Sequence, residues 1–156
     1  MIRTKKRLWI CCVAIAVNLA FIWGNSLLPG NVSGAISGWL RNLLAALLPG
    51  GSEEPDAGHG LLRKLAHFTE FCTLGMLLSW LFAMLRPKTW QRWAFPLLCG
   101  VFAACVDETI QCFVPDRGPG IKDVGIDTLG VILGIVIIIF VQKAKNKSKY
   151  LEEHKL

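Results

Sequence analysis

The chain has 156 residues, 53% of them hydrophobic and 18% charged, with a mean hydropathy of +0.48 and a formal net charge of +6. That length holds one domain, and its apolar residues fall in runs long enough to cross a membrane, which excludes an ordinary soluble protein. The Lys and Arg residues sit in short clusters beside those runs rather than on one basic face, so no nucleic-acid partner is expected.

Arg3, Lys5, Lys6 and Arg7 lead into an apolar run from Leu8 to Trp23, which continues through Gly24-Asn25-Ser26 to Leu28. A basic start before an apolar core also describes a secretory signal peptide, and Ala35-Ile36-Ser37 resembles a cleavage site. The run is longer than a usual signal core and long enough to span, so 8–28 reads as a retained first helix. Val32, Ile36, Trp39, Leu40, Leu43 and Leu47 then recur at helical spacing, apart from Ser33, Ser37, Arg41 and Asn42. That pattern predicts an amphipathic helix over 32–48, lying at the membrane surface. Pro49 to Asp56 is a solvated loop. Further spans are expected at about 61–85, 90–113 and 124–141. The basic tail over 142–156, with Lys143, Lys145, Lys147 and Lys149, is expected to be partly disordered. The predicted fold is thus an all-α membrane protein: a bundle of four transmembrane helices plus one external amphipathic interfacial helix, in a single domain over 1–156. Cys11, Cys12, Cys72, Cys99, Cys105 and Cys112 form no CxxC pair and no zinc-like spacing with histidine, and read as small apolar fillers.

Orientation follows from the basic residues. Twelve of the 17 lie in the leader, in the loop bearing Arg86, Lys88 and Arg92, and in the tail, which four spans place on one side. That side is predicted to be the cytoplasm, with both termini in it. Nine of the 11 acids belong to the opposite half.

This topology carries the polar residues of separate spans to one level. Arg63, Lys64, His67 and Glu70 enter at the start of the second span. Asp107, Glu108 and Gln111 end the third, and Asp123 and Asp127 begin the fourth. At about 1.5 Å per residue, His67, Asp107 and Asp127 lie roughly 5–10 Å below the outer surface. A charge facing lipid at mid-bilayer costs about 2.5–3.5 kcal/mol on insertion scales, so these groups are expected to face one another. Such a set can close the bundle as ion pairs, act as an acid/base site, or hold a divalent ion on His67, Asp107 and Asp127. No cofactor is otherwise evident. Between the last two spans, Pro115-Asp116-Arg117-Gly118-Pro119-Gly120 is a tight turn no helix runs through. Arg117 is expected to project from it, with Lys122, Arg63 and Lys64 nearby, as a site for phosphate or carboxylate. Gly130 and Gly134 share a stripe with Asp123 and Asp127 and form a GxxxG, read as helix packing.

Two blocks resemble the VanZ-like membrane protein family: Arg63-Lys64-Leu65-Ala66-His67-Phe68-Thr69-Glu70-Phe71, and the stretch from Asp107 to Gly134. The order Lys, His-Phe, Asp-Glu-x-x-Gln, Pro-x-Arg, Asp and Gly-x-x-x-Gly is similar to the family pattern, and Ser26 with Ser33 and Ser37 corresponds to a weaker serine block. Phe71 stands where the family often has tyrosine, so no hydroxyl is expected there. The resemblance implies a bacterial integral membrane protein of the cytoplasmic membrane, in a family whose founding member is associated with resistance to lipophilic glycopeptide antibiotics. It implies no molecular mechanism.

Two functions are compatible with these residues. One is a protein that binds or shields an anionic lipid or lipid-linked envelope precursor, with the polar site on the extracytoplasmic side. The alternative is a membrane-embedded enzyme modifying such a component, with His67 or Asp107 as acid/base and Ser26 as the best hydroxyl nucleophile. Transport ranks behind both, because four spans without an evident repeat make a poor alternating-access scaffold.

Overall fold

The computed structural model describes residues 2–35, 38–39, 57–85, 88–118 and 120–153. Among these there is no strand, and four long helices dominate: α1 (Ile2–Ser26), α2 (Ala57–Leu85), α3 (Gln91–Gln111) and α4 (Ile121–Glu153). Each contains a stretch long and apolar enough to cross a membrane. The fold is an all-α membrane bundle. Residues 30–35 and 38–39 are helical, and the rest of the expected interfacial helix over 32–48 lies outside the described residues.

Lipid offers no hydrophobic force to pull helices together, so close backbone packing and small residues must do it. The α2–α4 interface shows how. Gly130 faces the backbone of Phe68 and Cys72, Gly134 that of Cys72 and Met76, and Gly75 that of Val131. A methyl group at Gly134 would meet Met76 N at 2.7 Å, and one at Gly75 would meet Val131 Cα at 2.9 Å. Only hydrogen fits at these points. On α3, Gly100 similarly admits the Val131 side chain. Around this seam lies the apolar core of Ile22, Phe71, Leu74, Leu78, Ala103, Ala104, Val131 and Ile135. Phe71 is fully buried there, a place where a tyrosine hydroxyl would need a partner.

Large apolar side chains on the outer faces, among them Val17, Phe21, Leu98, Phe102 and Phe140, are exposed as lipid contact requires. Trp9, Trp80, Trp90 and Trp93 are also about half exposed or more, and gather at the basic end of the bundle as an interfacial aromatic belt. At that end the sequence expectation needs correction. Helix α4 does not stop near Val141 but continues through the lysines to Glu153. No Gly or Pro follows Gly134, the tail is rich in good helix formers, and Lys145 Nζ lies 5.7 Å from the Trp80 ring centroid. Helix α1 in turn ends at Ser26 rather than Leu28.

Candidate functional site

The turn between α3 and α4 closes the other end of the bundle. Asp116 takes a left-handed backbone conformation (φ 57°), which a short polar side chain tolerates better than most. Gly30 N donates to Pro115 O at 3.1 Å, and lacking a side chain it lets the Asp116 carbonyl come close. Arg117 does not project to the surface as the sequence reading expected. It folds back, Nη2 donating to Asn25 O at 2.8 Å and Nε to Leu28 O at 3.1 Å. A cation thus caps carbonyls at the end of α1, where the helix dipole is negative. Burial holds the Arg117 guanidinium below its ordinary value, with the charge of Arg63 acting the same way and Asp107, Glu108 and Glu70 opposing. Its Nη1 is buried without a partner among the described residues.

Beneath the turn, all four helices deliver polar side chains to one place. Asp107 (0% exposed), Asp127 (1%) and Ser26 (0%) are fully buried, and Glu108 and Gln111 nearly so. Gln111 Nε2 donates to Asp107 Oδ2 at 2.8 Å and lies 3.3 Å from Glu108 Oε1 and 3.4 Å from Ser26 Oγ. One amide with two hydrogens cannot serve three acceptors equally, so the Asp107 bond is the strong one. Glu108 Oε2 accepts from Gly120 N at 2.9 Å, which ties the end of α3 to the start of α4 and places a carboxylate at a helix N-terminus. Glu70 Oε1 accepts from Asn25 Nδ2 at 2.9 Å. Lys64 Nζ reaches Asp123 Oδ1 at 4.0 Å, a half-exposed pair of small energetic weight.

His67 Nδ1 lies 3.7 Å from Asp107 Oδ2, near but beyond hydrogen-bond reach, and has no other partner among the described residues. Asp107 Oδ1, Asp127 Oδ2 and Glu70 Oε2 are likewise buried and unpartnered. His67, Asp107 and Asp127 each offer one ligand atom, all within 4.8 Å of one another. Beside them is a cavity of about 10 Å³, lined by Arg63, Lys64, His67, Glu108, Gln111, Asp123, Ile126 and Asp127. That is room for roughly one water-sized occupant.

Of the residues singled out from sequence, Lys64, His67, Glu70, Asp107, Glu108, Gln111, Asp123 and Asp127 come together, and Arg63 lines the same cavity. Arg117 joins them from above through backbone carbonyls, while Lys122 stands exposed outside the cluster. Gly130 and Gly134 pack against α2 and bring Asp127 up to His67. Asn25 was missed. Its signal was the polar Gly24-Asn25-Ser26 step at the end of an otherwise apolar run.

These features define the class: an all-helical membrane protein with a buried histidine–carboxylate cluster sealed at one end of its bundle. The family model described as VanZ/LLP1 matches residues 8–142, most of the chain, and the protein belongs to that family of membrane proteins, which is linked to glycopeptide resistance. No curated protein and no solved structure matches it.

Proposed function

We propose that this protein sits in the bacterial cytoplasmic membrane, with both termini in the cytoplasm and the cluster facing outward. There it binds an anionic lipid or lipid-linked envelope component, and lowered glycopeptide access is the consequence. The observation that carries this reading is a second, apolar cavity of about 380 Å³ between α1, α2 and α3. Its walls include Ile15, Leu19 and Trp23 on α1, Leu74 and Leu78 on α2, and Cys99 and Ala103 on α3. Trp23, Leu74 and Ala103 lie three or four residues from Ser26, Glu70 and Asp107, so each wall continues along one helix face into the polar cluster. The cavity suits an acyl or polyprenyl chain whose head lies toward the cluster. Trp23 Nε1, buried and without a partner among the described residues, adds a donor for an ester or phosphate oxygen.

Arg63 and Lys64, which line the small polar cavity of the cluster, are cations available to an anionic head, since two of the Arg117 donors are committed to backbone. A binding role fits better than a reaction centred on Ser26, because that hydroxyl is fully buried beside Gln111.

The test is lipid analysis. Protein purified in mild detergent is expected to retain a defined anionic lipid, identified by mass spectrometry and lost in Cys99→Trp, which fills the groove. Cells with and without the protein are expected to hold the same lipid species; a new covalent species would favour the enzyme, and no retained lipid would sink both readings. On a cysteine-free background, Asn31→Cys should label from outside and Lys147→Cys only from the cytoplasm. The reverse pattern would overturn the orientation.

A further inference from the structure

The cluster holds more buried acid than its own partners neutralise. Five carboxylates gather there, and three have found partners: Glu108 with Gly120 N–H and Gln111, Asp123 with Lys64, and Glu70 with Asn25. Asp107 and Asp127 remain, completely buried, each with one oxygen that no donor among the described residues reaches. Gln111 satisfies only Asp107 Oδ2. His67 Nδ1 is unpartnered at the same point, while the second oxygen of Glu70, also unpartnered, belongs to a carboxylate already held by Asn25. Two carboxylates left this way are costly in a low-dielectric interior, and a neutral amide such as Gln111 does not remove their charge.

From this geometry we infer that His67, Asp107 and Asp127 form a divalent-cation site. One ligand comes from each of α2, α3 and α4, and the small cavity bounded by His67, Asp127, Glu108 and Gln111 leaves space for a water on the ion. A neutral imidazole and two carboxylates carry two negative charges, which a divalent ion cancels. The mixed donor set of one nitrogen and two oxygens suits Mn²⁺ or Zn²⁺ rather than Ca²⁺, which takes oxygen almost exclusively. Ligands at about 2.0–2.2 Å from one ion lie at most roughly 4.4 Å apart. Neighbouring ligands in tetrahedral or octahedral geometry lie closer, roughly 3–3.6 Å apart, so the observed atoms, within 4.8 Å of one another, draw together by up to about an ångström or a little more when an ion binds. The close seam at Gly130 and Gly134 gives the site its rigidity, since it fixes α4 against α2 one turn below the ligands. This site does not depend on the lipid reading. It nonetheless supplies what that reading lacks, removal of the negative charge beneath an anionic head in an acid-rich pocket.

Mn²⁺ is the probe, because the six free cysteines would capture Zn²⁺ while thiols hold Mn²⁺ poorly. Untagged protein in nanodiscs of zwitterionic lipid, equilibrated with Mn²⁺ and passed through a desalting column, should retain about one ion per chain. Asp127→Asn and His67→Gln should each retain at least tenfold less, with unchanged helicity and monodispersity, while Lys122→Ala should match the parent. If a variant fails to fold, the parent alone decides: the electron-spin-echo spectrum of bound Mn²⁺ should show coupling to one histidine nitrogen. Retention of less than a tenth of an ion per chain would overturn the site and leave a proton shared between Asp107 and Asp127 in its place. So would full retention in both variants, or Mn²⁺ with no nitrogen coupling, either of which marks adventitious binding at surface carboxylates.

Discussion

Helix α2 has two unlike sides. Against α4 it is shut, with Gly75, Gly130 and Gly134 allowing backbone to touch backbone and leaving no room for a methyl group. Toward α1 and α3 it is open, and Leu74 and Leu78 form the floor of an apolar cavity. The shut side carries Lys64, His67, Asp123 and Asp127, the side chains whose positions must be held closely for any ion or proton chemistry. The open side carries Trp23, Cys99 and Ala103, which suit an occupant that comes and goes. Rigidity and access are thereby divided between the two faces of one helix. In a bilayer this division has a simple cause. Glycine makes contact where association must be tight, and bulky residues keep helices apart where lipid or ligand fills the gap.

The comparison breaks most severely at Gly134. Gly134→Leu places a branched side chain against the Cys72 carbonyl and Met76 N, so α4 must move away from α2. We expect a loss of about 3 kcal/mol and a large fall in membrane abundance by immunoblot. Gly125→Ala, where nothing lies within 4 Å, should leave abundance unchanged. Equal losses in both would mean that the seam is not the scaffold.

Next in size is Asp107→Asn, which keeps the volume and the link to Gln111 but removes the charge. Glycopeptide protection should vanish in survival assays while protein levels hold. His67→Asn should behave alike, and the double variant should be no worse than either, as for residues acting as a unit. Near-normal protection would reduce the cluster to polar glue between helices.

A smaller effect is expected from Arg117→Lys. Lysine keeps the charge but cannot reach both the Asn25 and Leu28 carbonyls in fixed geometry. Thermal stability in detergent should fall by about 1–2 kcal/mol, with protection lowered only as far as stability explains. Protection lost at full stability would return Arg117 to direct anion binding. The smallest change is Lys145→Ala at the opposite end, which removes a ring contact worth at most about 0.5–1 kcal/mol. A larger effect there would show that the helical tail is part of the bundle's support.

Much of this was legible in the residues alone. The four spans follow from the free energy of transferring apolar residues into lipid, which adds up locally along the chain. The gathering of His67, Asp107 and Asp127 at one level follows from a rise of about 1.5 Å per residue in antiparallel helices. Gly130 and Gly134 could be assigned to packing from their spacing. What the sequence could not decide was rotation and offset between helices, because each residue turns a helix face by about 100° and no local pattern states which face meets which neighbour. Those choices pair Glu70 with Asn25 and Glu108 with Gly120, leaving Asp107 and Asp127 each with a buried oxygen that no donor among the described residues reaches. They also turn Arg117 inward, because the ending of α1 leaves carbonyls within its reach. Finally, they part α1 from α3 over Leu74 and Leu78, a gap that exists only once three helices are in place.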